Sequence, residues 1–169
     1  MMATILNTIR LFLLGAWIGA AIFFSAVVAP TTFRVLRAFA LPIAGEIAGS
    51  IVTTTLSFIN TSGFIMSLML VAIAFLVRRN YGKRAFGFQV VLSAVVAITT
   101  AVGEWVIAAK MRGLRVAMQL PIDQIAADNP ERVAFNALHG YSVAALSIAI
   151  LAALVLFLVI ANRGYWIKE

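Results

Sequence analysis

The sequence contains no cysteine. That absence excludes disulfides, thiolate metal sites, iron–sulfur clusters and cysteine-based catalysis. Charge is scarce, at 11% of residues, and carboxylates are scarcer still, with 6 Asp and Glu against 13 Lys and Arg. There is 1 histidine, and only 4 prolines punctuate 169 residues. A soluble domain is roughly a quarter charged and about half apolar. Here 63% of residues are hydrophobic and the mean hydropathy is +1.06. This balance predicts an integral membrane protein. There is no phosphate loop, nucleophile elbow, His-Glu-x-x-His pair or paired Cys-x-x-Cys, so no catalytic motif points to an enzyme. The net charge of +7 sits at the ends of apolar runs, where membrane topology and anionic headgroups account for it. Those basic residues are not interleaved with aromatics, which argues against nucleic acid as a partner.

What is present is a set of long apolar runs. Leu11 to Ala29 carries no charge and no proline. At ~1.5 Å per residue it reaches ~28 Å, close to the hydrocarbon thickness of a bilayer. Its Ser-Ala-Val-Val-Ala ending imitates a cleavage site, but the run exceeds a signal-peptide core, so a retained span is expected. Gly15 and Gly19 lie four apart on one face and predict close helix packing there. Pro30 is expected to end or kink the span, with a short interfacial helix after it carrying Phe33, Leu36 and Ala40.

The expected fold is an all-α four-helix membrane bundle in one domain, 1–169. Its spans fall at about 11–29, 52–77, 86–109 and 138–161, and the connecting segments 30–51 and 110–137 are partly helical. A second helix can run from Pro42 to Val77, longer than a bilayer is thick. Glu46, Ser50, Thr53, Ser57 and Asn60 recur on one of its faces. In lipid such a stripe must face protein or water. Asn129-Pro130-Glu131 reads as a helix start, with an Asn cap, Pro at the first position and a carboxylate near the positive dipole end. Tyr165 and Trp166 are placed like interfacial anchors.

Basic residues are spread almost evenly over the two ends of the bundle. The short turn at 78–84, with Arg78, Arg79, Lys83 and Arg84, tips the balance. Both termini are therefore expected to be cytoplasmic, in a bacterial inner membrane. The termini side reads as dry. The opposite side reads as polar and as extending beyond the bilayer, with Arg34, Glu46, Glu104 and His139 near the base of a helical cap.

Several residues invite chemistry. Glu104 lies near a span end, where a carboxylate is costly unless paired, hydrated or protonated. It reads either as a functional acid or as the partner of Arg34, Arg112 or Arg132, and Arg34 is the favoured counter-charge. His139 reads as a metal or haem ligand or a proton-handling group, or as a helix-start histidine bonded to a neighbouring helix. The second reading is favoured, because metal sites need three or four ligands and one histidine supplies one axial haem position. Asn60 and Ser142 complete the candidate polar site. Met66 and Met69 read as core packing rather than soft-metal transfer.

Three stretches carry a family resemblance: W-I-G-A-A-I-F-F-S-A-V-V-A-P-T-T-F-R-V-L from Trp17, A-G-E-I-A-G at 44–49 and L-H-G-Y-S-V at 138–143. Together they resemble the transmembrane protein 205-like family, four-span proteins of unknown function. More distantly they are similar to copper-resistance D-type membrane domains and to a four-span haem-binding oxidase, groups that rely on more histidines. The resemblance implies a four-span fold and a role in handling or exporting a small molecule or metal, since the eukaryotic member is associated with platinum-drug resistance and secretion. Two alternatives stand beside it. One is a non-catalytic accessory subunit of a larger membrane complex. The other is a haem- or metal-dependent redox protein using His139. No cofactor is required by the residues, and the lipid bilayer is the one partner the composition demands.

Overall fold

The first helix does not stop at Pro30. In the computed structural model, which describes residues 2–162, one helical rod runs from Met2 to Ala38. It consists of α1 (Met2–Phe23), a π turn (Phe24–Val28) and α2 (Ala29–Ala38). A proline inside an α-helix lacks a donor, and its ring presses on the carbonyl four residues back. The π turn relieves this by an extra residue immediately upstream, and Ala29 N–H bonds to the Phe24 carbonyl. The separate interfacial helix expected after Pro30 is thus the continuation of the first rod.

The remaining elements are α3 (Ala44–Leu76), α4 (Lys83–Ala101), a second π turn (Val102–Ala108), α5 (Ala109–Met118) and α6 (Pro130–Ala161), with short 3-10 turns at Arg78–Asn80 and Ile122–Gln124. α4, the π turn and α5 form one continuous rod. Asn129 caps α6 as its sequence implies, its side chain accepting from Glu131 N–H and Arg132 N–H. Among the described residues four helices are long and apolar enough to cross a membrane, with 37, 33, 36 and 32 residues. At ~1.5 Å per residue each approaches or exceeds ~50 Å, well beyond a ~30 Å hydrocarbon core. The chain is an all-helical, multi-pass membrane bundle. Tyr165 and Trp166 lie outside the described residues.

α4 packs against α3 and α6, and α1 closes the ring between those same two helices. The core is built from Leu14, Trp17 and Ala21 of α1, Ile59, Met66 and Leu70 of α3, Val96 of α4, and Ala149, Ala153 and Leu156 of α6. Phe12, Phe58, Leu76 and Leu151 point outward, which suits contact with lipid. Without a hydrophobic drive between helices in lipid, close packing at small residues holds the bundle. Those residues are not the expected ones. Gly19 has open space beside it and Gly15 meets only the edge of Phe157, 3.7 Å from where a Cβ would stand. Within the apolar core the tight glycine is Gly63, where a Cβ would lie 2.7 Å from the Trp17 indole. That ring is fixed by its own N–H, which donates to the Ile59 carbonyl at 3.0 Å.

The termini side is not dry. Arg10 is fully buried, with Asn7 and Gln89 beside it. Arg10 Nη2 donates to Gln89 Oε1 at 2.6 Å, and Nη1 donates to Asn7 Oδ1 at 3.3 Å. The physical reason is register. α1 begins at Met2, so Arg10 sits two turns inside the helix and faces α4 instead of marking an end.

Candidate functional site

The polar residues at the end opposite the termini fall into two tiers. The outer tier is a clasp between the start of α3 and the 119–129 connection. Gln119 takes a left-handed conformation, and a short 3-10 turn, Ile122–Gln124, folds back over α3. Asp123 Oδ2 accepts from Glu46 N–H at 3.0 Å, which satisfies an open donor at the α3 N-terminus. Glu46 returns the contact: its Oε2 accepts from Ile122 N–H at 3.2 Å, and its Oε1 pairs with Arg115 of α5. Both carboxylates are thereby committed to holding the clasp. The Arg115 guanidinium also lies 5.3 Å from the Phe135 ring centroid, a cation–π contact that ties α5 to α6. Arg132 donates to the Ile125 carbonyl and keeps the connection against α6.

Under the clasp is a cleft of about 400 Å³. Arg37, Arg115 and Arg132 line it together with Asp123, Asn136 and His139. Arg37 stacks over Phe33 at 5.8 Å from the ring centroid. Among the described residues, neither Arg37 nor Arg132 is within ion-pair distance of a carboxylate. A second cavity of about 350 Å³ adjoins it between the first π turn, α2, α3 and α6. It shares Phe33, Val52 and His139 with the first, but is lined mainly by Phe24, Pro30, Leu56, Leu146 and Ile150. His139 therefore stands at the junction of a cationic cleft and an apolar one.

The inner tier surrounds Glu104, about 16 Å further along the bundle if measured on α3 from Glu46 to Ser57. Glu104 is 7% exposed and sits in the second π turn. Ser57 Oγ donates to its Oε1 at 2.9 Å, and Arg112 stands 3.6 Å from the same oxygen. Its Oε2 is buried without a hydrogen-bond partner among the described residues. Asn60 lies beside it against Gly103, where a Cβ would come within 3.1 Å of the side-chain amide. The inner part of the stripe on α3, Ser57 and Asn60, thus faces the π turn, while Ser50 is exposed. π turns concentrate where a helix must re-aim side chains. Here one carries Glu104 and the other contributes Phe24 and Ser25 to the apolar cavity.

Of the residues singled out from the sequence, Glu46 belongs to the clasp, Asn60 and Glu104 to the inner tier, and His139 and Ser142 to the apolar cavity. Arg34 joins none of them. It is exposed and bonds to Thr31 Oγ1 one turn back, while Arg112 is the counter-charge of Glu104. Among the described residues no three His, Asp or Glu side chains converge as a metal would require, so His139 has no evident co-ligands. Sequence reasoning missed Arg37, Arg115 and Asp123. Nothing in the spacing links residue 115 or residue 123 to residue 46.

A family model described as a domain of unknown function, DUF4149, matches residues 12–119. The match runs from α1 to the end of α5 and includes Arg37, Glu46, Glu104 and Arg115. No curated protein and no solved structure matches the chain.

Proposed function

The chain belongs to the DUF4149 family, whose function is unknown, and from that premise we propose that it binds a small anionic molecule in the cleft under the clasp and assists its handling or export across the membrane. The finer placement among transmembrane protein 205-like proteins, and a bacterial inner membrane with cytoplasmic termini, belong to the same proposal. One observation carries it. Three guanidiniums and His139 line a cleft whose nearby carboxylates, Glu46 and Asp123, are already engaged by Arg115 and by backbone N–H groups. Arg37 and Arg132 are planar donors suited to a carboxylate or phosphate. A ligand-sized cleft with a few convergent polar groups is the ordinary form of a small-molecule site.

Native mass spectrometry of the full chain released from gently solubilised membranes tests this reading. A discrete small-molecule adduct is expected, lost when Arg37→Ala and Arg132→Ala are combined at unchanged protein abundance. A preparation that carries no adduct but co-migrates with further subunits would favour an accessory role instead. The redox reading requires a haem or metal adduct lost in His139→Ala; no converging ligand set among the described residues supports it.

A further inference from the structure

The cationic cleft and the apolar cavity adjoin, with Phe33, Val52 and His139 in the walls of both. Their chemistry changes sharply at that junction. On the outer side stand Arg37, Arg115 and Arg132; on the inner side stand Phe24, Leu56, Leu146 and Ile150. The inner cavity follows α6 from His139 to Ile150, ~16 Å of helix. α2 packs mainly on α3, and this cavity opens sideways between α2 and α6, where Pro30 in its wall is exposed. Val143 and Ser147 line that opening and are exposed. A neighbouring helix does not fit there, since a helix with its side chains is ~10 Å across and the cavity holds about 350 Å³. An inorganic anion would occupy the guanidinium end and leave the apolar end unused.

We propose that the two cavities form one site for an anion carrying a single long alkyl chain, a fatty-acid type of amphiphile. Its head group lies among Arg37, Arg115 and Arg132, and its chain lies past His139 between α2 and α6. The proposal rests on the reading that the outer cleft binds an anion. It adds the apolar half of the ligand and a lateral route by which that half leaves the bilayer.

The test is equilibrium binding to the full chain in phosphatidylcholine nanodiscs, with empty nanodiscs subtracted. The probes are oleate, octanoate, oleyl alcohol and inorganic phosphate. Oleate is expected to bind about tenfold more tightly than either octanoate or oleyl alcohol, each comparison removing one half of the ligand. Combining Arg37→Ala with Arg132→Ala lowers oleate affinity about tenfold and leaves oleyl alcohol unchanged. Val143→Trp, at the exposed wall of the apolar cavity, weakens oleate but not octanoate. Ser147→Phe obstructs the same opening should the first variant fold poorly, with thermal midpoints confirming the fold. Equal affinity for oleate, octanoate and phosphate, all dependent on the arginines, would overturn the alkyl-chain site and leave the anion cleft standing. Binding indifferent to the arginines, or no binding by folded protein, would overturn both.

Discussion

The bundle buries polar groups at both ends but uses them differently. At the termini side Arg10, Asn7 and Gln89 form a sealed cluster, each at most 2% exposed. At the other end Glu46 and Arg115 pair with side chains 29% and 25% exposed, above an open cleft. A buried hydrogen-bonded charge is costly to disturb, because the remaining group has no water to turn to. A half-exposed pair is screened and individually weak. The sealed cluster holds the helices in place, whereas the guanidiniums at the open end line a cleft in which they can engage a further partner.

Four measurements sharpen or break that contrast, most simply as unfolding in mild detergent. Gln89→Leu removes the 2.6 Å hydrogen bond from Arg10 and is expected to be the most damaging. Loss of a buried bond to a charged group costs about 2–3 kcal/mol. If Gln89→Leu proves as mild as a change in the clasp, the sealed cluster is not structural. Gly63→Ala comes next, since the new Cβ would stand 2.7 Å from the Trp17 ring. Overpacking of this kind costs about 1–3 kcal/mol. In a Trp17→Phe background the same change should cost less, and an unchanged penalty would show that the two do not meet. Asn129→Ala removes the side-chain acceptor from Glu131 and Arg132 N–H and should cost about 1 kcal/mol. The smallest effect belongs to the clasp pair. A double-mutant cycle of Glu46→Gln and Arg115→Ala should return a coupling below about 1 kcal/mol, the ceiling usual for partly exposed pairs. A larger coupling would make the open end as structural as the sealed one.

Much of the architecture is legible in the residues. Asn129-Pro130-Glu131 announces the start of α6, and Pro42 places the start of α3 within two residues. The stripe through Ser57 and Asn60 faces protein because lipid offers those groups no partner. Of the two readings of Pro30, the helix end is excluded, because the rule that proline ends a helix concerns the ordinary i to i+4 ladder, and a π turn accommodates the ring. Gly15 and Gly19 mislead for a related reason. Spacing of small residues shows that a close approach is possible, but only the position of Trp17 decides that it happens at Gly63. The candidate site was half visible: Glu46, Glu104 and His139 stood out as rare groups beside apolar runs. Arg37, Arg115 and Asp123 did not, because contacts such as Glu46 with Asp123 join segments 77 residues apart.

By itself the sequence determined that this chain is a helical membrane protein with four spans. Composition and run length suffice for that, since hydrocarbon accepts only segments whose backbone bonds close internally. It also marked Glu46, Glu104 and His139 as rare polar groups beside apolar runs. Tertiary structure alone decided which of those residues meet. It turned Arg10 inward to Gln89, gave Glu104 to Arg112 instead of Arg34, and aligned a cationic cleft with an apolar one through His139. The reason is rotational register. One residue turns a helix by about 100°, so partners depend on how four rods are rotated against one another. Local propensity does not set that angle; the packing of Trp17 on Gly63 and the two π turns do.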